Sequence, residues 1–168
     1  MTNNVSFYLN QKLVQASESE TIWDVAKKED IDIPHLCHSD KIGYKADGNC
    51  RACVVEVKGE KSLVASCIRK PTQGIKVFTN NEKVKKSQNL VLELLLTDQP
   101  NSNASRSKDN HFWKTLNKRN IKKSRFSQKK VSSIPKIDNS HPAMTVDLNA
   151  CIQCGLCIRA CRDVQVND

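Results

Sequence analysis

Eight cysteines divide into two sets of four, and none is left over. Cys37, Cys50, Cys53 and Cys67 follow C-x12-C-x2-C-x13-C, while Cys151, Cys154, Cys157 and Cys161 follow C-x2-C-x2-C-x3-C. The second spacing is that of a loop wrapping a four-iron cubane. The first has the loop-borne C-x-x-C core and distant fourth thiolate of a two-iron site. Thiolates in these patterns hold iron–sulfide cores, and two redox centres on one chain point to electron transfer.

Two other uses of cysteine are less consistent with the spacing. A four-cysteine zinc site usually shows two short knuckles, and the first set has only one close pair. In the second set, three cysteines so tightly spaced cannot easily splay around one tetrahedral ion. Disulfides require an oxidising compartment, of which the sequence gives no sign. His35 and His38 flank Cys37, and mixed His/Cys ligation would raise a cluster's potential. Four cysteines already saturate two irons, so both histidines read as loop residues near the cluster. Gly48, just ahead of Cys50, lets the backbone turn sharply, and loop N–H groups can donate to sulfur.

In the second set Gly155 makes room for the cluster, and Ile152, Leu156 and Ile158 are expected to shield it. Cys161 is expected on a helix leaving the site. In two-cluster ferredoxins the fourth cysteine of such a run ligates the other cluster. No second run occurs before Asp168, and Arg162 stands where that run usually has proline. Cys161 therefore completes the same four-iron cluster or serves a second one. The latter is favoured, with the missing cysteines on a longer polypeptide or a partner subunit.

The elements needed to position these residues can be read along the chain. Val5 to Leu9 and Lys12 to Ala16 flank Asn10-Gln11 as a hairpin would. Thr21 suits an N-cap for a short helix to Lys28, with Ile22, Trp23, Val25 and Ala26 facing a sheet. Pro34 to Cys53 has no period and reads as the cysteine loop. Strands are expected over Ala52 to Val57, Leu63 to Ser66 and Ile75 to Thr79. Asn81 to Thr97, with apolar residues at 84, 90, 91, 94 and 95, reads as an amphipathic helix. This order predicts an α+β fold, a β-grasp [2Fe-2S] ferredoxin domain followed by a basic connector and an incomplete bacterial-type [4Fe-4S] segment. The expected organisation is 1–80 ferredoxin-like domain, 81–99 helix packing on it, 100–142 connector and 143–168 four-iron segment.

Only 38% of the 168 residues are hydrophobic and 5% aromatic, so the core should be small. Metal–thiolate bonds would help hold such a chain together. Met1 to Asn10 is polar and mixed, so no secretory leader is expected, and a reducing cytoplasm is the expected setting. Leu90 to Leu96 is too short to cross a bilayer. The net charge of +9 is concentrated in residues 100–150, where 11 basic residues face 3 acidic ones. That stretch reads as a mostly solvated connector with a short helix near His111 to Asn120. Arg119, Lys122, Lys123, Arg125, Lys129 and Lys130 cluster around Phe126. No nucleic-acid fold motif accompanies them, so an acidic neighbouring domain or subunit is the expected partner rather than nucleic acid.

Gly48 to Val57, Leu63 to Cys67, Val91 to Thr97 and His141 to Asp168 resemble the N-terminal iron–sulfur region of molybdenum-type, NAD-dependent formate dehydrogenase alpha subunits. The same architecture occurs in the large subunit of NADH dehydrogenase (complex I) and in some hydrogenases. The resemblance implies [2Fe-2S] and [4Fe-4S] cofactors, a molybdopterin-containing catalytic subunit or domain, and a flavin/NAD partner. Many members carry a further cluster held by one histidine and three cysteines. Here Gln99 stands at the histidine and Asn103 at the first of those cysteines, so that centre is not expected. The family's molybdopterin region is also missing. The chain alone is thus expected to carry electrons between a formate-oxidising centre and a flavin, not to oxidise formate. The alternatives are an NADH dehydrogenase or hydrogenase-type electron-transfer subunit, or a non-catalytic metal-bound interaction module.

Overall fold

Asn10 and Gln11 both take positive φ, 47° and 75°, which makes the two-residue turn whose twist matches that of flanking strands. It joins β1 (Asn4–Leu9) to β2 (Lys12–Ser17) in antiparallel register, Leu9 opposite Lys12 and Phe7 opposite Val14. Helix α1 (Ile22–Lys28) starts at Thr21, whose hydroxyl accepts from Asp24 N while the Asp24 carboxylate accepts from Thr21 N. This reciprocal cap satisfies two donors at the helix start. Ile22, Trp23, Val25 and Ala26 are buried as their period predicts.

Three short strands complete the sheet: β3 (Val54–Val57), β4 (Val64–Ala65) and β5 (Lys76–Phe78). The order is β2-β1-β5-β3-β4, with β1 and β5 parallel and the other pairs antiparallel. Phe7, Leu9, Ile22, Val25, Val55 and Val77 form the fully buried centre between sheet and helix. A parallel central pair with a helix across it is the β-grasp arrangement expected from the element order.

The computed structural model describes residues 4–100, 109–127 and 137–166. Asn103, Lys129 and Lys130 lie outside those ranges. Two compact units are present: Met1–Gln88 with Gly155–Asp168, and Asn89–Cys154. Helix α2 (Glu82–Thr97) runs across the division. Its buried row is Val84, Gln88, Leu92 and Leu96, one residue per helical turn. Of the apolar stripe expected at 84, 90, 91, 94 and 95, Val84 is buried, Leu90, Val91 and Leu95 are half-buried, and Leu94 is 47% exposed. Gln88 takes an inward position because its side-chain amide donates to the Val54 carbonyl at 2.9 Å. A polar residue there hid the true row.

The second unit has more local order than a solvated connector. Helix α3 (His111–Lys118) is capped by Asn110, whose side chain accepts from Trp113 N at 3.0 Å. It buries Phe112, Trp113, Thr115 and Leu116, with the two aromatic rings edge to face at 5.4 Å. A hairpin of β6 (Asp138–His141) and β7 (Met144–Val146) follows, exposed along its length. No period-2 pattern announces it. Gln99, at the position where the resembling family has histidine, is buried and donates to the Cys151 carbonyl at 3.4 Å.

Candidate iron–sulfur site

Cys37, Cys53 and Cys67 are buried and Cys50 half-buried, all within the first unit. Each position has its own support. Cys67 follows β4, and its flanks are tied to the start of α1: Trp23 N donates to Ser66 O at 3.1 Å and Ile22 N to Arg69 O at 2.9 Å. The open N–H groups of a helix start thus hold the residues around Cys67. Cys53 directly precedes β3, and its carbonyl accepts from Ser66 N at 3.2 Å and Ser66 Oγ at 2.7 Å. The Gln88 amide fixes the next carbonyl, that of Val54.

Between the cysteines of the C-x-x-C turn, Arg51 takes φ 58°. Gly48 takes φ 63°, and a Cβ there would lie 3.0 Å from Ile68 Cδ1. The glycine expected to bend this loop is therefore needed both for its backbone angle and for a close approach.

The sulfurs meet in pairs. Cys53 Sγ lies 3.4 Å from Cys67 Sγ, and Cys50 N donates to Cys37 Sγ at 3.4 Å. The hydrogen bond between the Cys37 and Cys50 side chains raises the first thiol and lowers the second to about 5; burial pushes both upward. The same contact between Cys53 and Cys67 lowers Cys53 to about 7 and raises Cys67. Each pair thus shares a proton between a thiol and a thiolate. None of the eight cysteines is in a disulfide. Among the described residues, no three side chains of ligating type gather closely enough for a single metal ion. Four cysteines in two close pairs, three buried and one half-buried, suit a thiolate-held two-iron core.

The histidines beside Cys37 turn toward Trp23, with ring centroids at 4.7 Å for His35 and 4.4 Å for His38. Burial lowers the His38 pKa, and neither of its ring nitrogens has a hydrogen-bond partner. Sequence reasoning missed Ser66, Gln88 and the aromatic seat on Trp23. Ser66 adjoins Cys67 but bonds the carbonyl of Cys53 on another strand, and Gln88 and Trp23 lie on helices outside the cysteine loop, so no local pattern links them to the cysteines they support.

The C-terminal quartet differs. Cys151 and Cys154, in the second unit, are exposed and half-buried; Cys157 and Cys161, in the first, are both exposed. Gln153 takes φ 54° and donates its N–H to Cys151 Sγ at 3.4 Å, and Gly155 takes φ 70° at the start of helix α4 (Leu156–Arg159). Cys161 lies on the π-helical turn Ala160–Val164 that continues α4. Ile158 is 65% exposed and so does not shield the run as expected, because it lies on the outer side of α4.

Comparison with known proteins agrees with this geometry. Residues 2–82 match the family described as 2Fe-2S iron-sulfur cluster binding domain. The chain is 35% identical to the NADP-reducing hydrogenase subunit HndD of Solidesulfovibrio fructosivorans, over 94% of this chain and 27% of that protein. Identity is 27% with the putative formate dehydrogenase YrhE of Bacillus subtilis, over 98% of this chain and 17% of that protein. It is 29% with an NADH-quinone oxidoreductase subunit of Rickettsia bellii, over 90% of this chain and 22% of that protein. The chain thus spans about a quarter or less of the curated relatives it matches. Among solved structures, an NAD+-reducing [NiFe]-hydrogenase in the H2-reduced state superposes with a TM-score of 0.81 at 29% identity, covering 94% of this chain and 65% of that one. No helix among the described residues is long and apolar enough to cross a membrane. The chain is an α+β protein with an N-terminal 2Fe-2S ferredoxin-like domain followed by a cysteine-rich segment, and over nearly its whole length it is similar to part of hydrogenase, formate dehydrogenase and complex I proteins.

Proposed function

We propose that the chain relays electrons within a multisubunit oxidoreductase of hydrogenase or NADH dehydrogenase type. The alternative weighed on sequence takes precedence over the formate-specific reading, because the hydrogenase subunit is 35% identical and the formate dehydrogenase 27%. The single observation that carries the proposal is the paired arrangement of Cys37, Cys50, Cys53 and Cys67, three of them buried and Cys50 half-buried. These four would hold a [2Fe-2S] cluster, which supplies one-electron chemistry at a low potential, about −400 mV for plant-type sites.

The rest of the site positions and insulates. Ser66, Gln88 and the start of α1 fix the backbone on either side of Cys53 and Cys67. Burial of three of the four cysteines keeps water from the sulfurs. Cys151, Cys154 and Cys157 would hold a [4Fe-4S] cluster, with Cys161 serving the same cluster or a second one. Their exposure agrees with a run covered by further polypeptide, supplied by a flavin/NAD partner or by a catalytic subunit or domain. A molybdopterin centre is the form that partner takes on the formate-specific reading. A reducing cytoplasm remains the setting proposed for so many thiols.

Anaerobic reconstitution with iron and sulfide tests this. The expected product is brown, contains acid-labile sulfide, and shows a paramagnetic signal once reduced. A colourless chain that takes up zinc but no sulfide would leave the metal-bound interaction module instead.

A further inference from the structure

Arg159 stands between Cys157 and Cys161, at the end of α4, and is only 3% exposed. A buried guanidinium is costly unless its charge and its donors are met. Here its terminal nitrogens donate to the main-chain carbonyls of Cys37 and Lys45, the second at 2.6 Å, and Nε lies 3.5 Å from Asp47 Oδ2. All three acceptors belong to the loop between Cys37 and Cys50. The following turn adds an independent contact on the same loop. A Cβ at Gly43 would lie 3.3 Å from Val164 Cγ2, so Val164 sits against bare glycine backbone held at φ 89°. Both contacts lie inside the first unit.

We propose that Arg159 is a positioning residue of the two-iron site. It clamps the loop that presents Cys37 and sets a buried positive charge beside it. The segment from Cys157 to Val164 is then part of the framework of the first quartet. This rests on the iron–sulfur reading above and goes beyond it. The fork of a guanidinium suits the task, because it can donate to two carbonyls and still face a carboxylate, which an ammonium cannot do in one plane. A fixed cation near the cluster favours the form that carries the added electron, so the charge should raise the potential.

The test compares the reconstituted full chain with its R159K and R159Q variants. Two measurements are made: a dithionite titration of the two-iron paramagnetic signal, and hydrogen exchange of the amides from 37 to 50. R159Q is expected to make reduction tenfold less favourable, about 59 mV for one electron, and to speed exchange in the loop. R159K is expected to recover the potential but not the protection, since it keeps the charge and loses the fork. Loss of the cluster from R159Q alone also supports the proposal. Wild-type potential and exchange in R159Q overturn it. So does equal loss of the cluster from both variants, which makes Arg159 a folding residue only. A wild-type chain with no two-iron signal overturns the iron–sulfur reading itself.

Discussion

Ser66 bonds the Cys53 carbonyl twice, through its backbone N–H at 3.2 Å and its hydroxyl at 2.7 Å. The two residues lie on neighbouring strand ends, and each borders or bears a cysteine of the 3.4 Å Cys53–Cys67 contact. The hydroxyl is fully buried, so it has no water to fall back on. We expect Ser66→Ala to lower stability by about 1 kcal/mol, since the carbonyl keeps its backbone donor. Loss of cluster to a chelator should accelerate several-fold, because Cys53 becomes free to shift. Urea unfolding and bleaching of the visible band measure the two effects. Wild-type bleaching in the variant would mean that Ser66 does not hold Cys53.

Gly48 separates a backbone requirement from a contact. Its φ of 63° disfavours any side chain, while the Cβ clash is with the tip of Ile68, which is flexible and partly exposed. Gly48→Ala should therefore cost about 1–2 kcal/mol, mostly from the left-handed conformation. Adding Ile68→Ala should recover only a minor part. Full recovery in the double variant would assign the glycine to space rather than to conformation.

Cluster assembly should release protons. Cys37 and Cys67 are pushed up and remain protonated near neutral pH, while Cys50 and Cys53 fall to about 5 and about 7. Iron needs all four as thiolates. At least one proton should therefore leave each pair on loading, and the yield should rise from pH 6 to pH 8. Reconstitution in weak buffer with an indicator dye reads this directly. A flat yield over that window would show that the four thiols do not all bind.

The cysteine spacing made the two-iron domain legible, and Thr21, Asn10-Gln11 and the short β-rich runs made the surrounding fold legible, because each rests on local geometry. What the sequence concealed was set by partners far along the chain. Gln88 faces inward for the sake of Val54, and Arg159 is buried for the sake of Cys37 and Lys45. Gln88 falls in the helical row of Val84, Leu92 and Leu96 but is polar, and Arg159 has no apolar period that would mark it. In the basic segment the short helix expected near His111 to Asn120 is present, and what the surrounding charge concealed is that its Phe112, Trp113 and Leu116 are buried together.

Arg125, one of the charges in that segment, forms a two-pronged bond with Glu93, Nε to Oε2 at 2.6 Å and Nη2 to Oε1 at 2.9 Å. The guanidinium holds the Glu93 carboxyl below the usual carboxylate range. A depressed carboxylate adds stability that is complete above its ordinary value, about 4.3, and is lost as pH falls through the lowered one. Glu93 is 10% exposed but Arg125 is 59% exposed, so solvent screens the pair and its contribution is small. Arg125→Gln should lower the melting temperature at pH 7, and the loss should shrink in acid as the pH falls through the lowered range of Glu93. Added salt should narrow the pH 7 difference, because the exposed side of the pair is open to screening. An equal loss at pH 7 and in acid would trace the effect to packing of the arginine stem instead of its charge.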